Sequence, residues 1–481
     1  MAYMLEGLKP EGFFKWFEEI TRIPRGSSGE EKIAAFLENF ATERGLEYIR
    51  DAWNNILIRV PATPGYENEP SILLQGHMDM VWAKDATATI DLEKDPLELC
   101  VSGNRLKAKG TTLGADDGVA IATMLAIADD NTIAHPELEC FCTAEEELGL
   151  IGIRKADLSV IKSRRMINMD SGSSHEICVS SAGTKHLSFE KTFDSCAGTG
   201  LTQLRLNLFG GLSGHAGLDC HMNRACCINI MGELLYLLSR EMPVYLAEIK
   251  VEGPPIHGTC EAYASVPSDR VAEAEKLLHT LFDGIPVRYQ KTDPNLRFEV
   301  SACQEVKAIL SAEDTANIIR AMFFLHTGVR KSDADDRNII IASTSFSSLS
   351  LKAGQLNALY SIRSLDASVC ALWHSRTEEL LRMLGFPLIV QNEYPAWPGS
   401  DNQVMQDRFA REHRRLFGED IKRLHLHGGI EPNILFGQFP DMDIVGIQPT
   451  AVEYHTPNET LLIDQVQPFW DLLLAVLAQK D

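Results

Sequence analysis

The sequence predicts an α/β protein with a second, inserted domain, and three observations predict it. Short apolar runs bounded by turns alternate with helix-spaced apolar patterns as far as Gly183, the texture of strands alternating with helices. Acids and histidines stand just past several of those runs, where open α/β sheets gather ligand groups. Beyond Gly183 the pattern changes and returns only near the end, and at 481 residues the chain is too long for one compact core.

The elements follow in order. Phe13, Phe14, Trp16, Phe17 and Ile20 recur at near-helical spacing until Pro24 ends the pattern. Ser28-Gly29-Glu30-Glu31 reads as a capping box opening a second helix, with Ile33, Phe36, Leu37 and Phe40 on its apolar face and Gly45 as its stop. Residues 71–76, 138–142 and 165–169 are short apolar runs, read as buried parallel strands. They precede His77-Met78-Asp79, Glu145-Glu146-Glu147 and Asp170; His455 lies after the run 444–447, and Asp116 and Asp117 open a helix-like stretch after Gly114.

From 184 the pattern is that of an α+β domain. Residues 187–190 and 204–209 alternate like half-buried antiparallel strands, 242–249, 261–266 and 356–362 add strands, and 223–238, 270–282 and 312–324 read as helices. The α/β texture returns at 387–390. The expected domains are therefore 1–183 with 386–481, interrupted by an insertion at 184–385.

Bulk properties narrow the function. With 45 basic and 67 acidic residues the formal charge is −22, which argues against nucleic acid and against an anionic membrane surface as partner. No run approaches a membrane span and residues 1–19 are acidic and amphipathic rather than signal-like, so a soluble cytoplasmic protein is expected. Eleven dispersed cysteines without a C-x-x-C pair read as reduced core thiols.

Each chemical motif has a plain reading beside its sharp one. His77 and Asp79 share a face of a strand, so Asp79 can hold the ring nitrogen that faces away from a metal; a surface His near an Asp is the plain alternative. Asp116 and Asp117 are natural helix N-terminal residues, or one of them bridges two cations. Three adjacent glutamates at the end of a buried run repel one another unless something positive sits there: one as metal ligand and its neighbour as general base, or all three in a solvated loop. Asp170 and His455 say little alone. Together, two histidines and at least three carboxylates on one sheet face suit a two-metal hydrolytic site.

These segments also make a pattern. Gln75-Gly76-His77-Met78-Asp79-Met80-Val81, Thr111-Thr112-Leu113-Gly114-Ala115-Asp116-Asp117-Gly118, Thr143-Ala144-Glu145-Glu146-Glu147-Leu148-Gly149, Asn168-Met169-Asp170-Ser171, Gly211-Leu212-Ser213-Gly214-His215-Ala216-Gly217 and Tyr394-Pro395-Ala396-Trp397 occur in that order. In them the chain resembles the co-catalytic zinc aminopeptidase/carboxypeptidase superfamily, and within it the aminoacyl-histidine (Xaa-His, carnosine-cleaving) dipeptidases, over essentially its whole length. The resemblance implies a zinc-peptidase-like catalytic domain whose parallel-rich mixed sheet lies between helices, with an inserted lid and dimerisation domain.

By the same resemblance His77, Asp116, Glu147, Asp170 and His455 are the metal ligands, with Asp116 bridging. Asp79 orients His77 and Glu146 is the general base. His215 donates to the scissile carbonyl oxygen, and Arg363 is the candidate for the substrate's terminal carboxylate. Three stretches depart from the pattern. Asp117 stands where relatives usually carry Asn, 427–433 replaces a usual H-A-G-L-E-C-G, and Met222-Asn223-Arg224 replaces a usual Gly before the Arg. What the resemblance implies is hydrolysis of dipeptides with a free N-terminus by a two-metal activated water. The ions are zinc foremost, with cobalt or manganese as possible substitutes, and the chain works as a homodimer through the inserted domain. Cleavage of N-acyl amino acids at the same site is the alternative, and a peptide-binding relative without turnover is the reading from another class.

Overall fold

The computed structural model describes residues 3–304, 307–399 and 403–481. They form two compact units: Met1–Ser181 with Trp397–His425 and Ile430–Asp481, and Ala182–Ala396 with Leu426–Gly429.

The first unit is built on an eight-stranded mixed sheet. Its order is Glu47–Arg50, Ile56–Val60, Leu138–Thr143, Ile72–His77, Arg165–Asn168, Asp443–Gly446, Glu176–Ser181, Lys422–Leu426. The four central strands run parallel, and antiparallel pairs flank them. Ile72–His77 and Leu138–Thr143 are buried at every position, which is why they read as continuous apolar runs: parallel strands are covered on both faces. The helices Glu11–Thr21, Glu31–Arg44, Ala115–Ala128 and Ile463–Leu477 supply the apolar cover, with Phe13, Phe14, Phe17 and Ile20 buried from the first of them. Gly45, in the left-handed region at φ 66°, ends the second helix as its sequence predicts.

The capping box expected at Ser28 does not form. Ser28 itself lies at φ 66°, its hydroxyl donates to Glu145 Oε1 at 2.8 Å, and the helix begins at Glu31 without a side-chain cap. The Glu30 carboxylate instead accepts the backbone N–H groups of Ser28 (3.0 Å) and Glu145 (3.1 Å). The segment pins a distant turn rather than capping its own helix.

The second unit has its own core and a nine-stranded antiparallel sheet. The order is Arg297–Ala302, Leu201–Phe209, Cys260–Pro267, Tyr245–Lys250, Ile340–Lys352, Gln355–Ser364, Gly183–Thr192, Ile389–Tyr394, with Gly328–Ser332 beside Ile340–Lys352. Leu204, Leu206 and Leu208 alternate inward as predicted.

Two expectations change here, and one strand carried no expectation at all. Residues 387–390 do not return to the first sheet: Ile389–Tyr394 pairs with Gly183–Thr192 and extends the second. The helix read from 223 begins at Cys227. The strand Ile340–Lys352 escaped notice because its buried positions are largely Ser, Thr and Ala, which leave no apolar signature. All eleven cysteines are free thiols. Among the described residues no helix is long and apolar enough to cross a membrane.

Asp443 opens the strand that ends the parallel set, and its Oδ2 accepts the Met405 N–H at 2.7 Å at the start of the helix Val404–Phe417. Burial pushes its carboxyl up to about 6, from an ordinary value of 3.8. A raised folded pKa means the fold prefers the protonated form. The associated stability is fully present below the unfolded value and is lost as pH rises through about 6. Asp443→Asn is expected to flatten this part of the stability–pH curve, by up to about 3 kcal/mol, read from denaturation midpoints between pH 4 and 7.

Candidate metal centre

Three neighbouring strands end at one place. His77 is the last residue of its strand, Thr143 ends the next strand just before the Glu145–Glu147 turn, and Asn168 ends a third two residues before Asp170. The Asp116 segment approaches from the helix Ala115–Ala128. Gly114 takes the left-handed conformation at φ 68°, and Asp116 (φ −84°, ψ 110°) and Asp117 (φ −111°, ψ 44°) are non-helical.

That backbone sends the two acids to different tasks. Asp116 faces the histidines, whereas Asp117 is fully buried and its Oδ2 accepts the His77 N–H at 3.2 Å. Gly76 permits this packing, because a Cβ there would lie 2.2 Å from Asp117 Oδ2. His455 enters from a loop beyond the short strand Ala451–Val452, at φ 60°, a left-handed conformation that histidine tolerates better than most residues.

The ligand atoms fall into two triads that share one carboxylate: His77, Asp116 and Asp170, and Asp116, Glu147 and His455. His77 Nε2 lies 2.9 Å from Asp116 Oδ1 and 3.9 Å from Asp170 Oδ1. His455 Nε2 lies 3.1 Å from Asp116 Oδ2 and 2.9 Å from Glu147 Oε1. One ring N–H cannot align well with two carboxylates at once, whereas one cation can accept both.

Glu146 shares a group with His77 and Glu147. Asp79 stands behind His77, its Oδ1 3.4 Å from Nδ1. Asp79 also accepts the Ser27 hydroxyl at 2.7 Å and the backbone N–H groups of Glu146 at 3.1 Å and Glu147 at 3.4 Å. Glu145 is turned away toward Ser28.

The electrostatics show what such crowding demands. Burial opposes a charge on His77, but hydrogen bonds to Asp116 and Asp79 outweigh it and hold the imidazole protonated well above its usual range. His455 is pushed up to about 10 by its hydrogen bonds to Asp116 and Glu147. Burial would raise Asp116, yet hydrogen bonds from both histidines hold it below the carboxylate range. Burial and the nearby Asp116 charge drive Asp170 well up. Burial does the same to Glu146, with Glu147 adding to it against the opposing charge of His77. Protons thus supply the positive charge the cluster needs. Divalent cations meet the same need with neutral imidazoles and ionised carboxylates, and a nitrogen and carboxylate donor set fits zinc and its neighbours.

The sequence reading missed the residues that hold these groups in place. Arg25 is buried, and its guanidinium donates to the carbonyls of Met78 (2.9 Å), Asp79 (3.2 Å) and Gly114, tying the end of the His77 strand to the Asp116 loop. The buried Glu459 accepts the N–H groups of Leu113 (2.8 Å), Gly114 (2.9 Å) and Asp116 (3.2 Å). Glu431, fully buried, accepts from Thr143 Oγ1 at 2.6 Å and from Gln75 Nε2, and burial pushes its carboxyl up to about 7. Two hints were available in the sequence: the closeness of Glu459 to His455, and the place of Glu431 within the stretch 427–433.

His215 and Arg363 belong to the second unit. His215 is exposed; its Nδ1 accepts the N–H groups of Gly217 (3.2 Å) and Leu218 (3.0 Å), so the ring proton sits on Nε2. Arg363 is buried and donates to Thr184 Oγ1 at 3.1 Å, and its Nε has no partner among the described residues. Burial, with the charge of Arg363 adding to it, holds His186 down to about 4 and His427 down to about 3, so these neighbouring rings are neutral.

No family model matches the chain. The cytosol non-specific dipeptidase of Escherichia coli is 28% identical over 483 residues, covering 99% of both chains. The crystal structure of aminoacylhistidine dipeptidase from Vibrio alginolyticus superposes with a TM-score of 0.87 at 26% identity, over 99% of this chain and 98% of that one. An M20 family metallo-carboxypeptidase from Sulfolobus solfataricus shares the fold alone, with a TM-score of 0.54 at 13% identity over 97% and 98%. In sequence and in fold this chain is similar to the cytosol non-specific dipeptidase and to the aminoacylhistidine dipeptidase, and it shares its fold with the M20 family metallo-carboxypeptidase.

Proposed function

We propose that this chain hydrolyses dipeptides with a free N-terminus, Xaa-His dipeptides such as carnosine among them, at a centre of two divalent metal ions. Zinc is the first choice, with cobalt or manganese as possible substitutes. The observation that carries the reading is the pair of donor triads sharing Asp116, with Glu146 beside them. His77, Asp116 and Asp170 would hold one ion, and Asp116, Glu147 and His455 the other. Bound there, the ions would lower the pKa of a shared water and polarise the peptide carbonyl.

The chain's own groups do the rest. Asp79 fixes the His77 ring with Nε2 toward the centre, and because it also holds the Glu146 and Glu147 N–H groups it couples that ring to the turn bearing the base. Glu146 takes the proton of the attacking water and passes it to the departing amine. A carboxylate whose proton affinity is raised by burial and by neighbouring acids suits that work. His215, with its ring proton on Nε2, is the proposed donor to the carbonyl oxygen as it becomes an anion. Arg363, with no carboxylate partner among the described residues and neutral imidazoles beside it, is the proposed holder of the substrate's terminal carboxylate.

That uncompensated charge would serve an N-acyl amino acid equally well, so the deciding panel contains free and N-acylated dipeptides. Faster turnover of the acylated set would overturn the dipeptide reading. The proposal includes a cytoplasmic setting, in line with the cytosol relative, and a homodimer through the second unit.

Glu146→Gln is expected to lower dipeptide turnover by about 10²–10⁴-fold while both ions remain bound, since it is proposed as base and not as ligand. If Glu146→Ala strips the ions, the roles of Glu146 and Glu147 are reversed. His215→Ala is expected to cost about 10²-fold or more in turnover with ion content and unfolding midpoint unchanged; near-native turnover would make His215 a structural residue.

A further inference from the structure

A further cluster of metal-ligand groups in the first unit shares no residue with the centre around Asp116: His175, His413 and Glu419. His175 sits in the tight turn closed by Ser173 and Glu176, which exchange backbone hydrogen bonds of 2.7 and 3.2 Å. His413 is fully buried on the helix Val404–Phe417. Glu419 follows Gly418, which ends that helix in the left-handed conformation at φ 77°.

The arrangement is prepared for a cation in three respects. His413 Nδ1 lies 2.9 Å from the Glu419 carbonyl oxygen, which can only accept, so Nδ1 carries the ring hydrogen and Nε2 presents a lone pair. That Nε2 is 2.9 Å from His175 Nδ1, with the rings 86° apart and both packed on Phe417. The third donor, Glu419 Oε1, is 3.6 Å from His175 Nδ1, and all three donor atoms lie within 4.8 Å of one another. Ligands at about 2.0–2.2 Å from a tetrahedral zinc stand roughly 3.3–3.6 Å apart, so separations of 2.9 and 3.6 Å lie close to what an ion needs. A cation here also lies near the carboxyl end of the helix, where its dipole favours positive charge.

We propose that His175 Nδ1, His413 Nε2 and the Glu419 carboxylate bind one Zn²⁺ ion, separate from the catalytic centre, with water completing its coordination. His175 now donates its Nδ1 hydrogen to His413. On binding, His175 gives up that proton to solvent and takes one at its outer nitrogen, remaining a neutral imidazole, while Glu419 binds as the carboxylate. Both residues are open to solvent, with 40% and 64% of their side chains exposed, so the ion has a way in. The His175 turn begins three residues after Asp170, and the His175 carbonyl accepts the Lys422 N–H at 3.1 Å. The ion therefore clamps the loop following a catalytic-centre carboxylate to the end of a helix, as a structural site.

The test equilibrates the enzyme, as purified with its own ions, against rising Zn²⁺ and counts bound zinc in the wild type, in His175→Ala and in the double variant His175→Ala/Glu419→Ala. Replacing the buried His413 endangers the fold, so the decision rests on the two exposed residues. The wild type is expected to take up one more ion per chain than either variant, and its thermal midpoint to rise with added Zn²⁺ while theirs does not. Dipeptide turnover of His175→Ala should equal that of the wild type. Equal uptake in all three forms, or an equal rise in midpoint, would overturn the site. Because the readout is a difference between forms of one chain, it stands whatever occupies the centre around Asp116.

Discussion

The centre depends on one crowded interaction: the two oxygens of Asp116 face two imidazoles, at 2.9 and 3.1 Å, with Asp170 and Glu147 completing a triad on either side. Carboxylates packed this closely in a partly buried site repel one another, and the group remains together only while positive charge is held among them. Much of the surrounding structure keeps Asp116 where it is. Gly114 turns the chain, Glu459 gathers three N–H groups of the loop, and Arg25 ties the same loop to the end of the His77 strand. Asp117 turns inward to the His77 backbone, and Gly76 leaves room for it. Asp79 performs the matching task on the other side, joining the His77 ring to the glutamate turn.

The sheet makes this convergence possible. Parallel strands place their carboxyl ends on one edge, so His77, the glutamate turn and Asp170 arrive together although far apart in sequence. The glutamates are then sorted by backbone. Glu145, at φ 50°, turns to Ser28, which leaves Glu146 and Glu147 toward the histidines. The second unit is organised differently, around its own antiparallel sheet and core. Its notable group is a buried guanidinium, Arg363, among rings kept neutral rather than among acids.

The strand ends and the clustering of their acids were legible in the sequence because a strand covered on both faces must be apolar at nearly every position, and the turns bounding each run mark its length. The helices Val271–Asp283 and Ala312–Phe324 were legible through their 3.6-residue period. What failed to show was anything whose role is set by a distant partner. Ser28 has the pattern of a cap but bonds to Glu145; Ile389–Tyr394 has an apolar start suited to either sheet, and Gly183–Thr192 decides which. Arg25 and Glu459 look like ordinary surface charges until burial shows otherwise. A Ser-rich strand such as Ile340–Lys352 is invisible to a reading that counts apolar residues.

Whether one carboxylate serves both halves of the centre is decided most directly by the metal counted in Asp116→Ala. Loss of a shared ligand should empty both halves together, whereas Asp170→Ala and Glu147→Ala should each weaken one. The Asp116→Ala protein is expected to fold, with an unfolding transition close to the wild type's, and to retain neither ion. One ion retained at full occupancy in Asp116→Ala would mean that the two halves do not share this carboxylate.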